Sequence, residues 1–153
     1  MMRTAATGNS VYADPSALLK LYLHQPESAR VSVWRARFSG PLPVTHHGRL
    51  EIINGICLAA FRKHITLEAM HDSLASFEED FEEGRYLRAD LLWRAALKRA
   101  ADLSQKHTPA IGCRSLDVLH VASALELGSK YFLTFDRRQH RLAYEAGLKV
   151  VRI

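Results

Sequence analysis

Two short apolar runs, one near each end of this 153-residue chain, stop at an aspartate that opens a helical pattern. That repeated handover constrains the fold more than any other feature. Val11-Tyr12-Ala13 ends at Asp14, then Pro15 leads into the helical spacing of Ala17, Leu18, Leu19 and Leu21. An aspartate there supplies an N-cap acceptor, and the proline after it brings a φ already suited to the first helical turn. Tyr131-Phe132-Leu133-Thr134-Phe135 runs into Asp136 in the same way, with Gln139 three residues on. Continuous apolar strands that pass directly into helices belong to parallel sheets covered on both faces. A last strand, Leu148 to Ile153, follows Gly147, a residue suited to stopping the preceding helix. The expected fold class is therefore α/β, a three-layer α/β/α sandwich around a central, mainly parallel sheet.

Between these ends the pattern predicts helices. One spans Ser28 to Phe38 and closes before Gly40, Pro41 and Pro43; a second, more apolar, spans Gly48 to Arg62. In a third, Leu67, Met70, Leu74, Phe77 and Phe81 recur at helical spacing, with Thr66 as the cap and Gly84 as the stop. A fourth is expected from Leu91 to Lys106 and a fifth from Leu116 to Leu127. The acidic run Glu78 to Glu83 reads as a solvated helix face. With no internal repeat and no linker-like tract, residues 11–153 read as a single domain after a flexible tail over residues 1–10.

Composition narrows the class of function. Hydrophobic residues are 48% and charged residues 24% of the chain, the balance of a globular domain rather than a disordered one. No segment approaches the ~18 apolar residues of a membrane span, and the start lacks the apolar middle of a signal peptide. A cytoplasmic protein that does not enter membranes is the expectation. Cys57 and Cys113 match no zinc or redox spacing and read as reduced, buried thiols. The net charge of +5 suits an acidic partner such as nucleic acid without requiring one.

Four acidic residues stand out: Asp14, Glu51, Asp117 and Asp136. Each has a plain structural explanation. Asp14 and Asp136 serve as N-caps, worth about 1 kcal/mol apiece, and Asp117 in a first helical turn favours the helix dipole. Glu51 is harder to dismiss, because Leu50-Glu51-Ile52-Ile53-Asn54-Gly55-Ile56-Cys57 is otherwise nearly all apolar. Two geometric arguments favour a site. Ligands of open parallel sheets bind beyond the carboxyl ends of strands, where Asp14 and Asp136 lie. Around Glu51, the same helical face carries His47, Gly48, Asn54 and Gly55, a small and polar set that suits a cleft. The apolar helix after Leu116 reads as buried all round, where an ionised Asp117 needs a cation or a partner. A hard divalent ion with oxygen ligands meets that need, and such an ion assists in-line displacement at a phosphodiester.

These segments resemble a known family. Tyr12-Ala13-Asp14-Pro15-Ser16-Ala17-Leu18-Leu19 resembles the opening of PIN-domain nucleases, especially VapC toxins of prokaryotic toxin–antitoxin pairs. Leu50-Glu51 resembles their second acidic motif, Arg114-Ser115-Leu116-Asp117-Val118 the third, and Thr134-Phe135-Asp136-Arg137-Arg138-Gln139 the fourth. The resemblance runs from about Val11 to the C-terminus. It implies an endoribonuclease that uses Mg²⁺ or Mn²⁺, forms a homodimer and is inhibited by a cognate antitoxin protein. It also implies that Asp14, Glu51, Asp117 and Asp136 form the metal site, with Ser16 and Thr134 bonded to the carboxylates or to bound water.

Arg114, Arg137, Arg138 and Arg141 flank the acidic motifs and are candidates for holding an RNA backbone, with Arg94 and Lys98 extending the track. No aromatic stacking platform is evident. His47 reads as a surface histidine and His120 as a packed, hydrogen-bonded one. Three other functions remain open: an RNA-processing nuclease without an antitoxin, a catalytically silent module binding RNA or protein, and phosphoryl transfer through Asp14. The last predicts a poised lysine, and neither Lys130 nor Lys149 is placed like one.

Overall fold

The computed structural model describes residues 10–153; most of the expected N-terminal tail, residues 1–9, lies outside them. The described chain divides into two compact units. A terminal unit contains residues 10–12 with Leu91–Arg152, and a middle unit contains Ala13–Asp90 with Ile153.

The terminal unit holds a three-stranded sheet in the order β1 (Val11–Ala13), β4 (Tyr131–Leu133), β5 (Lys149–Val150). β4 and β5 run parallel, with Tyr131 opposite Lys149 and Phe132 opposite Val150. Helices α5 (Trp93–Ile111), α6 (Ser115–Glu126) and α7 (Arg137–Glu145) complete the unit. Its core gathers Tyr12, Val118, Val121, Ala124, Phe132, Leu142, Ala143 and Leu148. Tyr12 stacks on Phe132 with ring centroids 5.6 Å apart, and its hydroxyl lies 2.7 Å from the His120 Nδ1. His120 is thus the packed, hydrogen-bonded histidine its apolar neighbours predicted.

Two expectations need correction here. The closing strand covers only Lys149–Val150, not Leu148 to Ile153. The fourth helix does not stop at Lys106 but continues through Pro109 to Ile111. Proline removes one backbone bond to the previous turn, yet Ile111 is drawn into the core, and burial of that side chain offsets the loss. The stop comes at Gly112, whose φ of 77° is left-handed and open to glycine at little cost.

The middle unit holds α1 (Pro15–Leu19), α2 (Ser28–Arg37), α3 (His46–Phe61) and α4 (Leu67–Glu82) around a parallel two-stranded ladder. That ladder joins β2 (Leu42–Thr45) to β3 (Tyr86–Ala89), with Leu42 opposite Tyr86 and Thr45 opposite Ala89. Neither strand was expected. Pro43 reads as a helix stop, but a proline is tolerated on a strand with an unpaired edge. In β3 the polar Arg88 masks a run whose Tyr86 is buried. Thr45 caps α3 and Thr66 caps α4, accepting from Gly48 N and Ala69 N respectively. Buried Arg35 donates to the Phe38, Gly40 and Arg85 carbonyls at 2.9, 3.2 and 2.8 Å, fixing the end of α2 to the approach of β3. Cys57 is half-buried rather than buried, and both thiols are free.

The fold is α/β with parallel strand pairing, as the strand-to-helix handovers predicted. No helix among the described residues is long and apolar enough to cross a membrane.

Candidate active site

In the terminal unit, Asp117 and Asp136 line one cavity of about 340 Å³ together with Gly112, Arg114, Arg137 and Arg138. Two of the four acids and three of the four flanking arginines named from the sequence therefore share one concavity, while Arg141 does not line it. Asp136 is the N-cap of α7, where its Oδ1 accepts from Gln139 N at 2.8 Å. Its Oδ2 takes no hydrogen bond from the described residues. Asp117 stands in the first turn of α6, and its side chain keeps 26% of its exposure. The expectation that α6 is buried all round fails at this end: Ser115 and Leu116 face solvent, and full burial begins at Val118. Asp117 is a half-buried residue at the rim.

Three guanidiniums frame the two carboxylates. Arg114 Nε lies 3.6 Å from Asp117 Oδ2, an ion pair whose arginine is 86% exposed. Such a pair contributes little to stability, about 0–1 kcal/mol. Arg138 is steadied by a 3.3 Å bond from its Nη1 to the Gly112 carbonyl. Cys113 registers both acids: burial pushes its thiol pKa up, and the negative charges of Asp117 and Asp136 raise it further.

Gln139 is the residue that sequence reasoning missed. It is fully buried. Its Nε2 donates to the Asp117 carbonyl at 3.2 Å, and its Oε1 accepts from the Thr134 hydroxyl at 2.6 Å. Thr134 Oγ1 in turn accepts from Asp136 N at 3.1 Å. Thr134 is thus committed to Gln139 and to the Asp136 backbone, not to a carboxylate. One amide ties the start of α6 to the start of α7 and so positions both acidic residues. The signal was present in the spacing Asp136-x-x-Gln139, a capping-box pattern, but here the glutamine reaches across to a second helix.

In the middle unit, Asp14 is buried with 6% exposure and caps α1. Its Oδ2 accepts from Ser16 N at 3.0 Å and from the Ser16 hydroxyl. Glu51 is half-buried on α3. Of the two glycines on its helical face, one has a packing cause. Gly48 lies where an added Cβ would be 3.5 Å from Pro15, and Gly55 where it would be 2.8 Å from Leu19 Cδ2. Gly55 lets α1 pack closely on α3, which brings the helix capped by Asp14 against the helix that carries Glu51, while at Gly48 the tight neighbour is Thr45 Oγ1 at 3.0 Å. His46 is the exposed member of the histidine pair, and His47 is half-buried.

The four carboxylates offer only oxygen donors, the set a hard cation such as Mg²⁺ or Mn²⁺ takes, and the open Oδ2 of Asp136 fits that use. Among the described residues, no three His, Cys, Asp or Glu side chains gather closely enough to hold an ion unaided. Mg²⁺ keeps several waters and needs only one or two direct carboxylates, so the donor chemistry still fits.

With this geometry in place, the comparisons define the class. The PIN-domain family model matches residues 11–144, and the chain belongs to that family. PIN domains are nucleases, typically metal-dependent. No curated protein matches the sequence. Among solved structures, the chain is similar to FitAcB from Neisseria gonorrhoeae, with 16% identity and a TM-score of 0.62 over 93% of this chain and 96% of that one. At that identity the likeness speaks for the fold.

Proposed function

We propose that this chain is a divalent-metal-dependent endoribonuclease and the toxin of a toxin–antitoxin pair. The observation that carries the nuclease reading is the cavity where Asp117 and Asp136 sit among Arg114, Arg137 and Arg138. Acids and arginines in one concavity suit a phosphodiester: the guanidiniums grip non-bridging oxygens while the carboxylates serve a cation. The proposal assigns Asp14, Glu51, Asp117 and Asp136 as ligands of Mg²⁺ or Mn²⁺, within one PIN domain spanning residues 11–153. When bound, the cation supplies charge neutralisation and a water of lowered pKa.

The protein's own residues do the rest. Ser16 holds the Asp14 carboxylate from backbone and hydroxyl at once, and Gln139 sets the starts of α6 and α7. Arg137 and Arg138 draw the RNA backbone toward a site that is negative before the cation arrives. The antitoxin partner, the homodimer and a cytoplasmic setting rest on the motif resemblance to VapC toxins.

The deciding experiment exposes a labelled total-RNA pool to the protein with Mg²⁺, Mn²⁺ or EDTA, beside Asp14→Ala and Asp117→Ala variants. Discrete cuts that need the metal and vanish in both variants support the assignment. Cutting at the parental rate by either folded variant removes that residue from the site. Growth arrest on expression, relieved by a small protein encoded next door, separates a toxin from an RNA-processing enzyme.

A further inference from the structure

The outward face of α7 carries a stripe that the sequence did not disclose as one surface. Gln139, Leu142 and Ala143 turn inward and are buried. Arg137, His140, Arg141 and Tyr144 are all exposed. Their spacing of three, four and seven residues places them in a row along one side of the helix. Tyr144 leaves 68% of its surface to solvent, although a tyrosine of this size usually finds an apolar neighbour or a hydrogen-bond partner. Arg137, His140, Arg141 and Tyr144 make no side-chain hydrogen bond, ion pair or ring contact among the described residues. The stripe begins at the cavity, because Arg137 lines it and Asp136 is the cap of the same helix. Tyr144 then lies two turns beyond Arg137, about 10 Å along the axis.

We propose that this stripe is the track on which single-stranded RNA leaves the cavity, with Arg137 and Arg141 on successive phosphates and Tyr144 stacked on a base. The inference rests on the ribonuclease reading and adds the path of the strand and an aromatic platform. Charge complementarity selects the occupant. The row presents two guanidiniums, and the one carboxylate beside it, Glu145, stands four residues beyond Arg141, which leaves the face net positive. A polyanion is the matching partner, and a flat exposed ring at the end of a row of cations is an arrangement that accepts bases of any sequence. A duplex keeps its bases stacked on one another and offers Tyr144 no free face.

The test measures binding, not cutting, so it separates the failure of this inference from failure of the nuclease reading. Fluorescence anisotropy in EDTA follows a labelled 12-nucleotide single-stranded RNA, the same strand with abasic sites, and a matched RNA duplex. Tyr144→Ala is expected to weaken the single strand about tenfold, in the range for loss of one stacked base, while Tyr144→Phe binds like the parent. The abasic strand should bind parent and Tyr144→Ala alike. Arg141→Gln should weaken single strand and duplex together, and lower the slope of log affinity against log salt by about 0.7 for the single strand. Both substituted positions face solvent, and circular dichroism confirms that each variant is folded.

A single-strand affinity within twofold of the parent in Tyr144→Ala overturns the proposal. So does an equal loss for the abasic strand, which would make the ring a spacer and not a platform. If RNA binding is unchanged while an acidic peptide loses affinity for the variants, the face belongs to a protein partner and the proposal also falls. RNA binding lost in the variants of a chain that never cuts RNA would uphold the track and remove the nuclease.

Discussion

In the terminal unit an amide joins the starts of the two helices that carry acidic residues, whereas in the middle unit phenols and a guanidinium tie the polar side chains together. In the first, Gln139 joins the Asp117 carbonyl and the Thr134 hydroxyl. In the second, the Tyr22 hydroxyl donates to Asp80 and takes a bond from Tyr86 at 2.7 Å, among Phe77, Phe81 and the buried Arg35. The amide carries no dissociable proton over the working range, whereas each phenol does. The first network therefore serves Asp117 and Asp136 under any ordinary condition, and the second ties the middle unit's stability to pH. The network next to Asp117 and Asp136 uses a group whose hydrogen bonding does not change when charges or cations arrive beside it.

Alkaline pH is the strongest way to break the contrast. Burial raises the Tyr22 pKa far above its ordinary value of 10, with Tyr86 and Asp80 adding to the rise. Burial likewise pushes Tyr86 up to about 12, although its bond to Tyr22 opposes the change. A phenol with a raised folded pKa favours the folded state while both states are protonated, so the contribution is whole below pH 10. It is lost as pH rises through 10 toward the folded values. Each tenfold change in proton affinity between the folded and unfolded chain corresponds to about 1.4 kcal/mol. The loss therefore amounts to a few kcal/mol, a sizeable part of a domain's stability. Urea midpoints are expected to hold from pH 7 to 9 and then fall steeply by pH 12. Tyr86→Phe starts from a lower midpoint but should lose less across that interval. An equally steep decline in the variant would show that the alkaline sensitivity lies elsewhere.

Gln139→Leu tests the other network. The volume is nearly kept, but the Thr134 hydroxyl loses its acceptor and the Asp117 carbonyl a donor. Leaving buried groups unpaired costs roughly 1–3 kcal/mol, which thermal melting should report. The specific consequence is at the site. With the starts of α6 and α7 no longer joined, Mn²⁺ affinity, followed by calorimetry, is expected to fall several-fold. Tyr12→Phe makes a matched control. It also removes a buried hydrogen bond in this unit, to His120, but that bond does not touch either acid. Equal losses of metal affinity in both variants would reduce Gln139 to general support of the core.

Much of this organisation was legible beforehand, because the sequence states local structure in local terms. Asp14 and Asp136 as caps, Thr66 before α4, Gly147 after α7 and the strand-to-helix order all follow from residues within one turn of each other. What escaped depended on distant partners. β2 exists because Leu42 to Thr45 meet Tyr86 to Ala89, forty-odd residues on, and Pro43 concealed it. Gln139 looked like half of a capping box until α6 supplied its second partner. Tyr144 gave no sign of being a platform, because its exposure depends on which face of α7 packs on the core. Glu51 was read through its small and polar neighbours, and one of them, Gly55, is small because Leu19 packs against it.

That packing allows the smallest and most discriminating test. At Gly55, a Cβ would sit 2.8 Å from Leu19 Cδ2 and 3.2 Å from Cδ1. Both are ends of a side chain that can rotate, so Gly55→Ala does not meet rigid backbone. Two terms oppose each other. Alanine in place of glycine favours a helix interior by about 0.8–1.0 kcal/mol, and crowding Leu19 costs about 1–3 kcal/mol. The expected net effect is a loss of about 1 kcal/mol. In a Leu19→Ala background the crowding disappears and the helix term remains, so the same substitution should become stabilising by about 1 kcal/mol. The reversal of sign is the measurement, read from urea midpoints of the four proteins in a double-mutant cycle. If Gly55→Ala stabilises both backgrounds, α1 does not press on α3 at this position. The small face beside Glu51 would then be open space, as a cleft would require, and its glycine would need the functional explanation that close packing now replaces.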